Sequence, residues 1–268
     1  MKHRTVGIAG LGAIGQKVAL WLRENQDGFT LSAVASGDAE KAKAWLAAAR
    51  LTAPVVAPAE LAKRAEIIVE VAPAAAFAAI ARPAIEAGRV LMVLTSSALL
   101  THGDLMDLAA KRGARILVPT GALLGMDAVV AAAQGPVESV MLSTRKPPRG
   151  LAGAPYLVTH AIDVAAITGP TRVFAGSARE AAAGFPANVN VAATLALAGI
   201  GPDRTQVEIW ADPNVSRNIH RITVRAEAAN FSMEIENVPS ENPRTGRLTP
   251  LSVIAALKRL DAPVVIGT

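Results

Sequence analysis

The sequence contains no cysteine, and this absence excludes several classes of site. Disulfide scaffolds, cysteine nucleophiles, zinc–thiolate centres and thiolate-held iron–sulfur clusters all need that residue. Aromatic residues are also scarce, with five Phe, three Trp and one Tyr in 268 residues. Because single-stranded nucleic acids stack on aromatic rings, and because the net charge of +5 is scattered, we expect no nucleic-acid partner. The chemistry must use other side chains, and we predict no metal site.

Long apolar runs are absent as well. No uninterrupted stretch reaches the roughly 18 apolar residues that a membrane span needs. The first residues lead into a short strand and then glycines, without the apolar stretch of a signal peptide. A composition of 51% hydrophobic and 18% charged residues is typical of a chain that folds around a core. We therefore expect a cytoplasmic protein with no membrane partner, in one large or two modest domains.

The pattern of apolar residues changes near residue 120. Before it, short β-branched runs alternate with alanine-rich helical stretches, a pattern typical of parallel βαβ units in a doubly wound α/β domain. The predicted strands are 6–8, 31–35, 67–71, 90–94 and 116–118. After it, longer alternating runs predict a second, mixed or antiparallel sheet. These runs are 137–144, 206–211, 218–225 and 231–237.

Two further segments complete this outline. Residues 144–155 are rich in Pro and Gly and are predicted to form a surface loop. Apolar residues at 251–260 have helical spacing, so a terminal helix is predicted there. Thr249 precedes this spacing as its expected N-cap, and Pro250 would occupy the first helical position.

The strongest local motif is a G-x-G-x-x-G turn formed by Gly10, Gly12 and Gly15, with Ala13 and Ile14 between the last two. The first glycine permits a tight turn, the second lets a pyrophosphate approach the backbone, and the third lets the helix pack against the strand. The motif follows a strand and opens an amphipathic helix, and this context indicates dinucleotide binding. A purely structural glycine turn is the alternative.

The residues after the second predicted strand bear on the choice between NAD and NADP. An acidic side chain about 20 residues past the last glycine normally binds the adenosine ribose of NAD. Here Ser36 follows the strand, and the nearest carboxylate, Asp38, is displaced by two positions. Ser36 would not repel a 2′-phosphate, and Lys41 and Lys43 follow. We predict that NADP is accepted at least as readily as NAD; the alternative is that Asp38 still reaches the ribose.

Polar residues of the second half mark two candidate positions. Asn188 and Asn190 begin an apolar helix, where an asparagine either caps the helix or binds a substrate carboxylate or the nicotinamide amide. Alternation along 218–225 places His220 on one face with Ile222 and Val224. A histidine there is either a hydrogen-bonded structural residue or, titrating near neutrality, a proton-transfer group.

Six segments spread along the chain form a further pattern: GLGAIG at 10–15, PTGA at 119–122, TRKPP at 144–148, FPANVN at 185–190, AGIGPD at 198–203 and NPRT at 242–245. Together they resemble the L-aspartate dehydrogenase family. The resemblance runs along almost the whole chain. It implies an oxidoreductase that uses NAD or NADP to interconvert L-aspartate and oxaloacetate plus ammonia through iminoaspartate, and a role in NAD synthesis.

The resemblance also implies an architecture. By this resemblance we expect a Rossmann-type nucleotide-binding domain and an α+β substrate and dimerisation domain, in a protein that is usually a homodimer. On this chain the first domain would comprise 1–119 and 246–268, because the terminal helix returns to it, and the second would comprise 120–245.

Site residues follow from the same resemblance. The family's active-site histidine falls on His220, and its nicotinamide-contacting asparagine falls on Asn190. In the implied mechanism His220 either acts as general acid and base in water addition and ammonia loss, or anchors the substrate while water carries the proton. The candidates for binding the substrate carboxylates, which the sequence does not rank, are Asn188, Arg145, Lys146, Arg244 and Thr245.

Two departures from the family pattern are expected near the cofactor. Leu124 stands where the family tends to have a small residue, in a loop whose backbone touches the cofactor. The segment 95–100, with Ser96 and Ser97, differs from the expected glycine-containing version. Both keep two alternatives open: a dehydrogenase of the same fold that acts on another amino or oxo acid, and a protein that binds NAD(P) without turnover.

Overall fold

The structure, a computed structural model, describes residues 3–25, 28–186, 189–240 and 246–268. The chain forms two compact units. The first unit comprises Met1–Pro119 and Thr249–Val264, and the second comprises Thr120–Leu248 and Val265–Thr268.

Five parallel strands form the sheet of the first unit. They are β1 (Arg4–Ala9), β2 (Phe29–Ala35), β3 (Ile67–Glu70), β4 (Val90–Val93) and β5 (Arg115–Leu117). Their order in the sheet is β2-β1-β3-β4-β5. The chain therefore leaves β1 toward one side and returns as β3 on the other, so a topological switch point lies between these two strands. Ligands of open α/β sheets bind at the carboxyl ends of strands at such a point.

Helices connect these strands and supply the core of the first unit. They are α1 (Ala13–Glu24), α2 (Ala39–Ala48), α3 (Pro58–Arg64), α4 (Phe77–Glu86), α5 (Ser96–Thr101) and α6 (Gly103–Arg112). Val18 and Leu22 of α1 pack with Ile8 and Val69 in a cluster of buried side chains. Each such side chain contributes about 1.5–3 kcal/mol by leaving water. The predicted doubly wound, Rossmann-type domain is confirmed.

The second unit contains a mixed sheet, as predicted, but it has five strands where the sequence pattern predicted four; the strand Thr171–Ser177 was missed. Its strands are β6 (Val137–Lys146), β7 (Thr171–Ser177), β8 (Gln206–Ala211), β9 (Asn218–Ala226) and β10 (Asn230–Asn237). They are ordered β10-β9-β6-β8-β7, and only the β6–β8 pairing is parallel. Its helices are α7 (Met126–Ala132), α8 (Pro155–Thr159), α9 (Ala178–Gly184) and α10 (Asn190–Ala198). One face of the sheet is apolar and buried, including Leu142, Ile209 and Ile222.

Two predicted boundaries were wrong. Strand β6 continues through Lys146, whereas the sequence pattern ended it at Thr144 and assigned 144–155 to a loop. Pairing with β8 on one side and β9 on the other holds these last residues in the sheet despite the prolines that follow. The terminal helix α11 (Leu248–Arg259) starts one residue before Thr249, which therefore lies inside the first turn instead of capping it.

Helix α11 returns to the first unit. Its Val253 and Leu257 are completely buried in the same cluster as β1 and β3. Beyond the helix, Asp261 accepts hydrogen bonds from the Arg4 guanidinium, the shorter of which is 2.8 Å. Over the ranges that the structure describes, no helix is both long and apolar enough to span a bilayer.

Candidate active site

The geometry of the glycine turn fits the three physical reasons for its glycines. Gly10 has φ +106°, and a Cβ there would lie 2.6 Å from the carbonyl oxygen of Val71. A Cβ on Gly15 would overlap the carbonyl oxygen of Gly10, so α1 can approach the turn closely only without a side chain there. At Gly12 a Cβ would meet no atom of the described residues within 4 Å. The open side of the turn leaves room for a phosphate at the start of α1.

A pocket of about 1130 Å³ lies beside this turn. Its wall combines the glycine turn, the end of β2, α2 and the loop after β3. The lining includes Gly10, Leu11, Gly12, Gln16, Ser36, Asp38, Lys41, Trp45, Val71, Ala72 and Pro73. This volume lies slightly above the range of about 300–1,000 Å³ that is usual for small-molecule sites, so the pocket has room for a large cofactor. The residues present therefore fit a dinucleotide.

The polar end of this pocket is organised by the start of α2. Asp38 is the N-cap of that helix, and its Oδ1 accepts a hydrogen bond of 2.9 Å from the backbone N–H of Lys41. The Ser36 hydroxyl donates to the carbonyl oxygen of Asp38 at 3.1 Å. Asp38, Ser36 and Lys41 all line the pocket, and one carboxylate oxygen of Asp38 is engaged by the helix end.

His220 lies on the buried face of the second unit's sheet, as the alternation along β9 predicted. Its exposure is 2%, and Ile222 and Val224 on the same face are buried too. Its Nδ1 is hydrogen-bonded to Oγ1 of Thr144 at 2.5 Å. Thr144 is the residue directly opposite it on β6. This bond orients the imidazole ring and leaves Nε2 for another partner.

Lys146 joins these two residues on the same face. It follows Thr144 by two positions on β6, and its exposure is 6%. Burial lowers the pKa of Lys146 to about 8. The pKa of His220 is lowered to about 3, first by burial and then by the positive charge of Lys146. We call Thr144, Lys146 and His220 the His220 cluster.

From the sequence, a catalytic His220 was expected to titrate near neutrality, whereas burial and the charge of Lys146 lower its pKa well below that range. In this form the imidazole is neutral at pH 7 and the lysine keeps most of its charge. A carboxylate brought beside them would stabilise the positive forms of both groups and raise both pKa values. The cluster is therefore suited to an anionic ligand.

Arg145 is separated from this cluster by the alternation of β6. It is on the opposite face of the strand from Thr144 and Lys146, where it is exposed. Its guanidinium donates to Asp212 at 3.3 Å and lies 5.6 Å from the ring centre of Trp210. Among the predicted residues that the structure describes, His220 and Lys146 are thus the two that share this sheet face.

The remaining predicted residues belong to loops and helix ends of the second unit. Asn190 is the first residue of α10 and is half-buried, but the N-cap is Val189, so the helix-capping alternative is wrong for Asn190. Leu124 is half-buried in the loop that precedes α7. Asn188, Arg244 and Thr245 lie outside the described residues. Among those described, no group of three or more His, Asp or Glu could hold a metal ion.

Two polar residues escaped the sequence analysis. Thr144 was predicted only as the last residue of a strand and the start of a loop, although its hydroxyl is hydrogen-bonded to His220. Glu70 was read as one more residue of a buried strand, yet its carboxylate is fully buried and hydrogen-bonded to Thr95. Its position as the one acidic residue in the apolar run 67–72 was the available indication.

Comparisons with known proteins agree along the chain. Residues 127–260 match the model of the C-terminal domain of aspartate dehydrogenase, and residues 10–119 match the NAD-binding domain of homoserine dehydrogenase. A protein named L-aspartate dehydrogenase from Bradyrhizobium diazoefficiens is 52% identical over 263 residues, or 98% of this chain and 94% of its own. The chain belongs to the L-aspartate dehydrogenase family.

Further relatives of the L-aspartate dehydrogenase family extend this match. A protein named L-aspartate dehydrogenase 3 from Bordetella bronchiseptica is 50% identical over 264 residues, covering 98% of this chain and 97% of its own. The crystal structure of aspartate dehydrogenase from Thermotoga maritima is similar with a TM-score of 0.75 and 25% identity, covering 99% of this chain and all of that one. The resemblance predicted from sequence is confirmed, and the chain is an NAD(P)-dependent amino-acid dehydrogenase.

Proposed function

We propose that this chain interconverts L-aspartate and oxaloacetate plus ammonia through iminoaspartate, with NAD or NADP as the cofactor. The observation that carries the proposal is the His220 cluster, in which a neutral imidazole and a buried lysine share one sheet face. A dicarboxylate supplies the negative charge that such a cluster favours. The names of the relatives support the same substrate.

The first unit would hold the cofactor, which when bound accepts a hydride from the substrate Cα. Gly10, Gly12 and Gly15 shape the turn at the pocket, and the backbone of Ala13 and Ile14 begins α1 beside it. That helix start would bind the pyrophosphate. Leu124 and Asn190 remain candidate contacts of the nicotinamide end, as the family resemblance implies.

His220 would move the protons of the second half-reaction. Loss of the Cα hydride and of one proton from the nitrogen converts the amine of aspartate into the imine of iminoaspartate. Water then adds to the imine carbon, and the neutral His220 accepts the proton that the water loses. The protonated imidazole returns this proton to the nitrogen, which gives a carbinolamine. His220 would then carry the hydroxyl proton to the same nitrogen, so that the C–N bond breaks, the carbonyl of oxaloacetate forms and ammonia leaves. Thr144 keeps the ring oriented throughout through its bond to Nδ1.

Lys146 would bind one carboxylate of the substrate. Its ammonium is buried beside His220, so its attraction for a carboxylate is screened less than at the surface. Pairing with that carboxylate would offset the repulsion that lowers the pKa of His220. Substrate binding would thus bring His220 nearer to the range in which it can also act as an acid. Arg244, Thr245 and Asn188 stay candidates for the second carboxylate, and Arg145, on the opposite face of the sheet, has less support.

The end of β2 favours acceptance of NADP. Ser36 lines the pocket with Lys41, while the carboxylate of Asp38 caps α2. A 2′-phosphate would meet a hydroxyl and a cation there, and the capping carboxylate is held by the backbone. We further propose a homodimer in the cytoplasm as the working form; its mass in solution tests the assembly.

The test is a substrate screen with both reduced cofactors. We expect the purified protein to oxidise NADPH and NADH when given oxaloacetate and ammonium, with NADPH used at least as well. Controls contain 2-oxoglutarate or pyruvate in place of oxaloacetate. Turnover with one of these instead would favour the alternative of another amino or oxo acid. Binding of NADPH without turnover on any of them would overturn the proposed reaction and leave a binding protein.

A further inference from the structure

Glu70 is a fully buried carboxylate at the carboxyl end of β3. Its Oε1 accepts hydrogen bonds from the backbone N–H of Ala72 at 3.0 Å and from the Thr95 hydroxyl at 2.9 Å. Its Oε2 accepts from the backbone N–H of Thr95 at 3.1 Å. The two oxygens therefore tie the loop after β3 to the segment after β4.

Burying an ionised carboxylate at this position costs free energy, because the charge is removed from water. Burial raises the pKa of Glu70 to about 7, against the opposing effect of hydrogen bonds from Thr95, Ala72 and Leu94. The neighbours on β3 are apolar, and an aliphatic residue would fill the strand without that penalty. We therefore expect the carboxyl group to have a structural role through its hydrogen bonds, which offset part of the free-energy cost of burying it.

What they hold is one wall of the cofactor pocket. Val71, Ala72 and Pro73 follow Glu70 directly, and all three line that pocket. The Val71 N–H donates to the carbonyl oxygen of Ala9 at 2.8 Å, so the same loop also supports the strand that leads into the glycine turn. Gly10 is packed against this loop so closely that a Cβ there would contact the backbone of Val71 and Ala72.

Thr95 completes the connection from the other side. Its Oγ1 lies 3.0 Å from the carbonyl oxygen of Ala72, in addition to its contact with Glu70. Thr95 itself is buried just before α5. Both polar groups of the Ala72 backbone thus lie within hydrogen-bond distance of the Glu70–Thr95 pair.

We propose that Glu70, with Thr95, is a positioning residue of the cofactor site that fixes the Val71–Ala72–Pro73 wall against the glycine turn. The inference rests on the proposed function of the first unit as the cofactor-binding unit. Glu70 acts through the backbone that it holds, so its loss should weaken cofactor binding and spare the aspartate site.

The variants follow from the donors around the carboxylate. In Glu70→Gln either orientation of the amide turns an N–H toward the backbone N–H of Ala72 or of Thr95, so one of these bonds is lost. Thr95→Val removes the hydroxyl at nearly constant shape, and Thr95→Ser retains it. Glu66→Gln is the matched control, because Glu66 lies just before the other end of β3 and its carboxylate accepts from the backbone N–H of Thr5 at 3.2 Å.

The experiment is a fluorescence titration of each folded variant with NADPH and NADH, together with steady-state kinetics. We expect the cofactor Kd to rise about tenfold in Glu70→Gln and Thr95→Val, the loss of one or two buried hydrogen bonds. Thr95→Ser should restore the Kd to within about twofold, and Glu66→Gln should leave it unchanged. The KM for aspartate, and kcat at saturating cofactor, should change less than twofold.

The outcomes separate the two proposals. Variants that melt at lower temperature but bind NADPH as tightly as the parent would make Glu70 a purely structural residue and overturn the inference. If Glu70→Gln does not fold, Thr95→Val and Thr95→Ser decide the question by the same Kd values. A parent that binds NADPH but does not turn over aspartate contradicts the proposed reaction alone, and the Kd values still decide the role of Glu70. A parent that binds neither nucleotide contradicts both.

Discussion

The pocket of the first unit and the polar cluster of the second are built from different parts of the chain. In the first unit, backbone turns at the carboxyl ends of parallel strands form the wall of the pocket, and glycines make the close approaches possible. In the second unit, side chains on the buried face of a mixed sheet form the cluster. A backbone site has a contiguous motif in the sequence, whereas a side-chain site is spread over distant strands.

The two units also bury charge of opposite sign. Glu70 in the first has its pKa raised, and Lys146 in the second has its pKa lowered, in both cases mainly by burial. Backbone N–H groups and a hydroxyl satisfy the acid. The positive charge of the lysine lowers the pKa of the neighbouring His220, so a carboxylate brought beside the two would stabilise both positive forms. We infer that the acid serves architecture and the lysine serves the substrate.

Replacement of His220 should have the largest effect. In His220→Ala, turnover of aspartate should fall on the order of a hundredfold or more, since proton transfer is lost. Initial rates with saturating cofactor give the measurement. His160→Ala is the control, because His160 is an exposed residue of the same unit and should leave the rate unchanged. A full rate in folded His220→Ala would assign the histidine to the core.

Replacement of Lys146 by Met should change how stability depends on pH. The folded pKa of about 8 lies below the ordinary value of 10.5, so the unfolded chain binds more protons between them. The parent should therefore gain on the order of 3 kcal/mol in free energy of unfolding as pH rises from 8 to 10.5. Lys146→Met should lack this gain, and its KM for aspartate should rise about tenfold. Urea denaturation at both pH values, with exposed Lys111→Met as control, makes the comparison; equal gains in all three would contradict it.

Two glycines of the turn should respond differently to the same added methyl group. Gly15→Ala forces a Cβ against the carbonyl oxygen of Gly10 and should lower the free energy of unfolding by about 1–3 kcal/mol. Gly12→Ala projects into open space, so stability should stay and NADPH affinity should fall. Denaturation and NADPH titration of both variants test this. An unchanged affinity in Gly12→Ala would remove the glycine turn from the pyrophosphate site.

The smallest effect is expected at the end of β2. Ser36→Asp places a carboxylate where a 2′-phosphate would lie, so the Kd of NADPH should rise about tenfold relative to that of NADH. Lys41→Ala should act in the same direction by less. Lys43→Ala is the control, because Lys43 pairs with Glu40 and is not among the residues of the pocket wall. Equal changes for the two nucleotides would show that this position does not read the 2′-phosphate.

Periodicity predicted most of the fold, because the burial of one or both faces of a strand or helix fixes the spacing of apolar residues along that segment. The five strands of the first unit were predicted from short β-branched runs, and four of the five strands of the second sheet from longer alternating runs; β7 was missed. The end of β6 was missed, since the prolines after Lys146 suggested a loop while partners on both sides kept the strand paired. Pairing across a sheet depends on segments distant in sequence, which local composition does not reveal.

The candidate site was predicted unevenly for the same reason. The face on which His220 lies followed from alternation along a single strand, and its burial confirms that part. Arg145 and Lys146 are neighbours in sequence and were equal candidates, but one residue of offset placed them on opposite faces. Thr144 could be joined to His220 only once β6 and β9 were known to be paired.

By itself the sequence determined the fold class, the dinucleotide motif and the family, because each depends on patterns of residue types within short segments. It also excluded thiol chemistry, because the chain contains no cysteine. Only the tertiary structure decided that Lys146 and His220 share a buried face, that Asp38 caps a helix, and that Glu70 holds a pocket wall through Thr95. Desolvation, charge repulsion and hydrogen bonds act through space. Their sources here lie on strands and loops far apart along the chain.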